Sequence, residues 1–251
     1  EHRYDQKQCL EAMRKAEFWN QLKEGSRRLL EKVLQSDGGI DERRFALANL
    51  TDAWKRDAQE LNLYYEQAAP AIAEIAVLAA LEKTGLNITE IDALFVCSCT
   101  GYLCPGVSSY VAERLGMREN AYLQDLTGLG CGAAIPMLEA AAGYTTLHPK
   151  SRVLTVAVEI CSAAFYVEDD AGVLISTCIF GDGASAAVWS GDGRNEGEWS
   201  IDHFKSLHCT ESREMIRFTN AAGKLRNQLD RNVPALAASV VKRLYQEHSD
   251  T

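Results

Sequence analysis

The segment Asp125-Leu-Thr-Gly-Leu-Gly-Cys-Gly-Ala-Ala-Ile-Pro-Met-Leu-Glu-Ala-Ala-Ala-Gly143 holds a cysteine, Cys131, between glycines and directly before an alanine-rich apolar run. This pattern predicts a tight turn that opens into a buried helix, with Cys131 at the first helical position. Unpaired backbone N–H groups and the positive end of the helix dipole would face the sulfur there and favour its thiolate form. A thiolate is the nucleophile that acyl transfer requires. The alternative interpretation is a structural cysteine that is buried as a small apolar residue.

The composition is that of a globular protein with a substantial core. The 251 residues are 47% hydrophobic and 24% charged. The net charge of −9 argues against nucleic acid as a general partner. Charges interrupt the apolar runs before they reach membrane-spanning length, and no signal peptide precedes the first charged helix. We therefore expect a cytoplasmic protein with no membrane partner.

Eight cysteines occur along the chain, but no two of them have the C-x-x-C spacing of a metal or redox site. Several lie in apolar runs, which predicts reduced thiols that pack as small hydrophobic side chains. His203, His208 and Cys209 are close together in sequence, but their segment has strand character and lacks a second ligand cluster. Neither a metal site nor a cofactor is predicted.

Alternating helix and strand signals indicate an α/β layered architecture. Strands are predicted at 93–97, 122–124, 152–158, 185–189, about 198–209 and 214–220. Helices are predicted at 6–34, at 51–66, from Pro70 to Gly85, at 107–115, from Cys131 to about Tyr144, and at 234–246. Pro136 should bend or loosen the helix that begins at Cys131. The glycine-rich stretch at 191–197 is the predicted domain boundary.

Five motifs occur in order along the chain: Glu42-Arg-Arg-Phe-Ala-Leu47, Cys99-Thr-Gly with Pro105-Gly106, Gly130-Cys131-Gly-Ala, Val158-Glu-Ile160 and Phe180-Gly-Asp-Gly-Ala184. As a set they resemble the thiolase superfamily, and most closely its chalcone-synthase-like branch, the type III polyketide synthases. The resemblance covers almost the whole chain and implies a five-layer α-β-α-β-α fold built from two similar halves. It assigns residues 1–192 to the N-terminal half, without its first strand, and residues 193–251 to the beginning of the C-terminal half.

The resemblance also implies a reaction and roles for individual residues. An acyl-CoA starter would be condensed with malonyl-CoA by decarboxylative Claisen condensation, with the growing chain held as a thioester on Cys131. Phe180 matches an aromatic gatekeeper between the CoA tunnel and the active-site cavity, although a core aromatic beside a tight turn is the alternative. Arg28 and Lys32 match basic residues that contact CoA phosphates, and Gly25 replaces a third basic position. Taken alone, these charges would more often be a solvated helix face.

Other matched positions concern the cavity and a homodimer interface. Thr100 and Ala164 match cavity positions, and Ala164 replaces a threonine of plant relatives, which should leave more room. Cys104 stands where those relatives have a methionine that crosses the dimer interface. CoA thioesters and a second copy of the chain are thus the implied partners. Naringenin chalcone is not the predicted product, and resorcinol, pyrone or phloroglucinol synthesis fits the sequence equally.

The family uses a histidine and an asparagine of the second half to form an oxyanion hole and to drive decarboxylation. Neither His203 nor His208 matches that histidine, because both precede the helix at Pro234 and the family histidine lies beyond it. We expect a fragment of a complete enzyme rather than a half-protein that needs a partner. The alternatives are a ketoacyl synthase III that acts on acyl carrier protein and a catalytically silent partner subunit of a ketosynthase.

Overall fold

The structure, a computed structural model, describes residues 2–36, 38–191 and 199–249. Its helices are α1 (Gln6–Lys15), α2 (Phe18–Gln21), α3 (Glu24–Gln35), α4 (Ala58–Thr84), α5 (Val107–Leu115), α6 (Ala134–Leu147), α7 (Ala171–Ile179) and α8 (Val233–Ser249). Its strands are β1 (His2–Asp5), β2 (Glu42–Phe45), β3 (Ala93–Ser98), β4 (Tyr122–Thr127), β5 (Arg152–Ile160), β6 (Asp182–Ser190), β7 (Ile216–Ala221) and β8 (Lys224–Leu229). The alternation of strands and helices between residues 93 and 190 agrees with the predicted α/β class.

A four-stranded sheet with the order β4-β3-β5-β6 positions the candidate site. β3 pairs in parallel with both β4 and β5, and β6 is antiparallel to β5. Leu94 and Val96 of β3 pack on the face that α4 and α5 cover, whereas Phe95 and Cys97 pack on the face that α6 covers. The described layers are therefore helix, sheet and helix. The carboxyl ends of the three parallel strands β3, β4 and β5 therefore lie at the same end of the sheet.

Helix α4 runs unbroken through Pro70, so the prediction of separate helices before and after this residue is wrong. A proline inside a helix removes one backbone hydrogen bond and costs about 3 kcal/mol. Burial of one side of α4 against the sheet offsets that cost, because Tyr65, Ala69 and Val77 are each no more than 1% exposed. The helix ends before Gly85, as predicted, where the backbone turns with a φ of 66°.

The single helix predicted for residues 6–34 is three helices, α1, α2 and α3. Ala16 and Leu22 have extended backbone conformations at the two breaks. The breaks bring Leu10, Leu22 and Leu30 into one apolar cluster. A single straight helix would place these leucines on different faces, so the burial of all three requires the chain to turn. Between α3 and α4, residues Glu42–Phe45 form β2, which pairs antiparallel with β1.

Residues 199–249 include a β-hairpin and a helix. The strand predicted for 198–209 is wrong, since residues 199–209 have no regular structure and Trp199 is 83% exposed, so the apolar alternation buries no face there. β7 agrees with the second predicted strand and pairs with β8, which was not predicted. Ala222 and Gly223 join them with φ values of 50° and 81°, as in a type I′ turn. The boundary predicted at 191–197 lies, apart from Gly191, outside the described residues.

Residues 2–36, 38–191 and 199–249 contain neither a helix suited to cross a membrane nor a cluster of metal-binding side chains. No helix in these ranges is long and apolar enough to cross a membrane. The same ranges contain no group of three or more His, Cys, Asp or Glu side chains placed to hold a metal ion.

Candidate active site

Cys131 lies in the 3₁₀ turn Gly130–Gly132, which leads from β4 into α6. Gly128 and Gly130 have φ values of 77° and 61°, a left-handed conformation that favours glycine and lets the chain reverse direction here. Helix α6 begins at Ala134, so Cys131 precedes the helix rather than being its first residue. Cys131 is exposed in the structure, which contradicts the interpretation as a buried packing residue.

The amino end of α6 faces the same turn and has no side-chain cap. The N–H groups of a helix's first turn have no partner within the helix, so they remain to interact with an anionic or polar group. Pro136 is the third residue of α6, where its missing N–H removes no intrahelical hydrogen bond. The helix therefore continues unbroken past Pro136 to Leu147.

Three cysteines lie in neighbouring segments at the end of the sheet where β3, β4 and β5 have their carboxyl ends. Cys99 directly follows β3, Cys161 directly follows β5, and Cys131 lies in the turn after β4. Because β3 lies between β4 and β5, these segments are neighbours. A charge on Cys131 also contributes to raising the pKa of both other thiols, after burial and nearby carboxylates. Sequence reasoning missed this group, although both cysteines follow buried strands, which was a usable signal.

Glu159, near the end of β5, fixes the loop that follows β3. Its carboxylate accepts hydrogen bonds from the backbone N–H groups of Cys99 and Thr100, each at 3.0 Å, and from Thr100 Oγ1 at 2.7 Å. Thr100 is 3% exposed, and its Oγ1 also accepts a hydrogen bond from the Ile160 N–H at 2.8 Å. The two strand ends are thereby tied together beside Cys131.

Asp182, at the start of β6, fixes the turn that follows β5. Its carboxylate accepts hydrogen bonds from Ser162 N at 2.8 Å, from Ser162 Oγ at 2.5 Å and from Ala46 N at 2.9 Å. Cys161 and Ala164 lie in the same short turn, so their positions depend on this carboxylate. Burial, and then the charge of Asp182, raises the pKa of the Cys161 thiol.

Helix α7 places Phe180 and was not predicted from the sequence. Asp170, directly before an apolar run, was the available signal: its carboxylate accepts a hydrogen bond from Val173 N at 3.1 Å and caps the helix. At the other end, buried Arg43 donates from Nη1 to the carbonyl oxygens of Thr177 at 2.7 Å and Phe180 at 3.1 Å. A cation at the carboxyl end of a helix is electrostatically favourable, so Arg43 holds the end of α7 and with it Phe180.

A pocket of about 330 Å³, open solvent included, lies between the turn after β5, helix α7 and the β7–β8 hairpin. Three of the predicted site residues line it: Thr100, Ala164 and Phe180. Cys161, which directly follows β5, also lines the pocket, whereas Cys131 is not one of its lining residues. Phe218 of β7 and Asn227 of β8 line it too, and sequence reasoning missed both. No local pattern could have found them, because the contact between this hairpin and the pocket is formed only in the tertiary structure.

The predicted CoA-binding positions lie on α3, away from the pocket wall. Arg28 and Lys32 are exposed, and an added side chain at Gly25 would meet no atom within 4 Å. Arg28 Nη2 lies 2.5 Å from Glu24 Oε1, with both side chains at least 70% exposed. Cys104 is exposed in the loop before α5. The structure thus places these residues at the surface, and their roles stay predictions.

Cys99, Cys131 and Cys161 are expected to differ in the rate at which their thiols are alkylated. Burial, followed by the charges of Glu159 for Cys99 and of Asp182 for Cys161, raises the pKa of both thiols, so the neutral form predominates below the raised values. At about pH 8, Cys99 and Cys161 should each react with iodoacetamide at least about ten times more slowly than a free cysteine. The exposed Cys131 should therefore be labelled before both of them. Peptide mass spectrometry over a time course measures this order. Earlier labelling of Cys99 or Cys161 than of Cys131 would contradict the prediction.

Comparison with known proteins identifies the family. The family described as FAE1/Type III polyketide synthase-like protein matches residues 1–243, and the chain belongs to it. A 1,3,6,8-tetrahydroxynaphthalene synthase from Streptomyces peucetius subsp. caesius is 28% identical over 216 residues, which are 85% of this chain and 57% of that protein. A 3,5-dihydroxyphenylacetyl-CoA synthase from Amycolatopsis balhimycina is 31% identical over 144 residues, which are 57% of this chain and 38% of that protein.

A solved structure gives the same result for the fold. The 1,3,6,8-tetrahydroxynaphthalene synthase from Streptomyces coelicolor A3(2), a bacterial type III polyketide synthase, matches with a TM-score of 0.82 and 25% identity, over 99% of this chain and 70% of that chain. The predicted thiolase-like fold and family are therefore confirmed, and the chain spans about half the length of the curated relatives it matches. These matches give no support to a ketoacyl synthase III or to a silent subunit.

Proposed function

We propose that this chain provides the nucleophile-bearing half of a type III polyketide synthase, which joins an acyl-CoA starter to malonyl-CoA units. The observation that supports it best is the position of Cys131, exposed in a glycine turn at the amino end of α6 and beside the cysteines of the neighbouring strand ends. Cys161, one of those two cysteines, lines a pocket whose wall also includes Ala164 and Phe180. A nucleophile next to a mainly apolar pocket is suited to accept and hold an acyl group.

The proposed reaction has two stages. The Cys131 sulfur attacks the thioester carbonyl of the acyl-CoA, the bond to the CoA sulfur breaks, and the acyl group stays on Cys131 as a thioester. Malonyl-CoA then loses carbon dioxide and forms an enolate, whose oxygen needs preorganised neutral donors. The resemblance assigns those donors to a histidine and an asparagine of the second half. The enolate carbon attacks the Cys131 thioester, which forms the carbon–carbon bond and releases the cysteine.

Arg28 and Lys32 are proposed to contact the phosphates of CoA. The two residues are exposed and four positions apart on α3, so their side chains are neighbours on the helix surface. A guanidinium can bind phosphate through two hydrogen bonds, and an ammonium binds it as a point charge. The exposed ion pair of Arg28 with Glu24 does not oppose this role, because such pairs contribute little stability and a phosphate can replace the carboxylate.

A homodimer is also proposed, in which two copies of the chain associate along β4, the outermost strand of the sheet. Among the described residues, no strand pairs with the outer side of β4. Tyr122, Leu123 and Leu129 are 45%, 37% and 48% exposed along this strand and the turn that follows it. An unpaired strand edge with exposed apolar side chains favours association with another chain. Cys104, exposed in the loop after β3, is the candidate interface residue carried over from the resemblance.

Condensation by the gene product that contains this chain tests the proposed function. Incubation with an acyl-CoA and malonyl-CoA is expected to release carbon dioxide and to give a product longer than the starter by two-carbon units, which mass spectrometry detects. The matched reaction replaces malonyl-CoA with malonyl-acyl carrier protein. Extension with the carrier-protein substrate but not with malonyl-CoA would overturn the proposal in favour of a ketoacyl synthase III.

A further inference from the structure

The polar groups on the wall of the pocket differ in one respect, which is whether they already have a hydrogen-bond partner. The wall hydroxyls all donate within the protein: Thr100 to Glu159 at 2.7 Å, Tyr166 to Glu168 at 3.1 Å, Ser176 to Gly172 at 2.8 Å and Thr177 to Val173 at 2.9 Å. The side-chain amide oxygen of Asn227 is buried and has no hydrogen-bond partner. Asn227 is therefore a lining residue with an unused hydrogen-bond acceptor, on a wall whose hydroxyl groups already have partners.

The position of Asn227 is fixed by the hairpin and by α7. Asn227 of β8 is the register partner of Phe218 of β7, and both side chains line the pocket. At the end of the same strand, the Leu229 carbonyl lies so close to Gly172 of α7 that no Cβ would fit there. The hairpin is thus packed directly on α7, the helix that precedes Phe180, so β8 cannot easily move away from the pocket.

We propose that Asn227 is a specificity residue that accepts a hydrogen bond from a hydroxyl group on the acyl chain held by Cys131. This inference rests on the proposed function and adds to it a substrate class, hydroxylated acyl-CoA thioesters. Ala164, Phe180 and Phe218 also line the pocket, and their side chains are suited to the hydrocarbon part of such a chain. A buried acceptor that regains its partner favours the hydroxylated substrate over the plain one by about 5- to 100-fold.

Acylation of Cys131 in a single turnover tests the assignment. The probes are hexanoyl-CoA and a set of hydroxyhexanoyl-CoA thioesters that differ in the position of the hydroxyl group. Intact-protein mass spectrometry follows the mass added to the protein. For the wild-type chain, at least one hydroxy isomer is expected to acylate about 5- to 100-fold faster than hexanoyl-CoA. In Asn227→Leu, which keeps the approximate volume and removes the acceptor, the ratio of the two rates should fall to about one.

The controls separate this inference from the proposed function. Gln228→Leu removes an amide from the same strand whose Nε2 donates to the Glu214 carbonyl outside the pocket wall, so the preference should remain. Because each variant reports a ratio of two substrates, a partly folded preparation still gives an answer, and Asn227→Ala serves as a second variant. Acylation without any preference that depends on Asn227 would overturn the inference alone. Failure of all acyl-CoA probes to acylate Cys131 would overturn the proposed function.

Discussion

Replacing Cys131 by alanine is expected to lower covalent acylation by acyl-CoA by at least about a thousandfold, since the methyl side chain has no nucleophile. The turn itself should survive the change. Cys131 is exposed, and the left-handed conformations that shape the turn belong to Gly128 and Gly130. The loss would therefore report the chemistry of the sulfur and not the folding of the site.

Radiolabelled acyl-CoA, followed by precipitation of the protein, measures the attached acyl group. Cys209→Ala is the matched control, because Cys209 is a half-buried thiol on the segment before β7 and does not line the pocket. This control should be acylated at the wild-type rate. If Cys131→Ala still carried label at that rate, another residue would be the nucleophile and the assignment would be wrong.

Replacing Glu159 by glutamine is expected to lower the free energy of unfolding by about 2–4 kcal/mol, because buried donors lose a charged acceptor. The carboxylate accepts hydrogen bonds from the N–H groups of Cys99 and Thr100 and from the Thr100 hydroxyl. A glutamine offers one oxygen, and its NH₂ group would face donors. The loop after β3 should become less ordered, and acylation of Cys131 should slow as well.

Urea unfolding followed by circular dichroism measures the stability change, and the acylation assay measures the effect on the site. Glu139→Gln on α6 removes one negative charge at an exposed position and is the matched control, for which a change within about 0.5 kcal/mol is expected. Equal urea midpoints for Glu159→Gln and for the wild type would show that the carboxylate does not hold the two strand ends together.

One strand and three helices show why local patterns predicted some elements and missed others. The strand at 93–97 and the helix at 107–115 were predicted within a residue, because their apolar spacing and their Gly and Pro boundaries are local features. Helix α4 was predicted as two pieces, because the helix-breaking tendency of Pro70 is local whereas the burial that overrides it is not. Helix α7 was missed although Asp170 signals its beginning.

The sequence by itself determined the class of the fold, the glycine turn that presents Cys131 and, through several motifs taken as a set, the family. These features depend on backbone conformations and spacings that neighbouring residues impose. Only the tertiary structure decided that Cys99 and Cys161 lie beside that turn and that Asn227 reaches the pocket. The physical reason is that strand order and hairpin docking are set by burial between segments far apart in the chain, and a periodic pattern does not record which segment a strand will pair with.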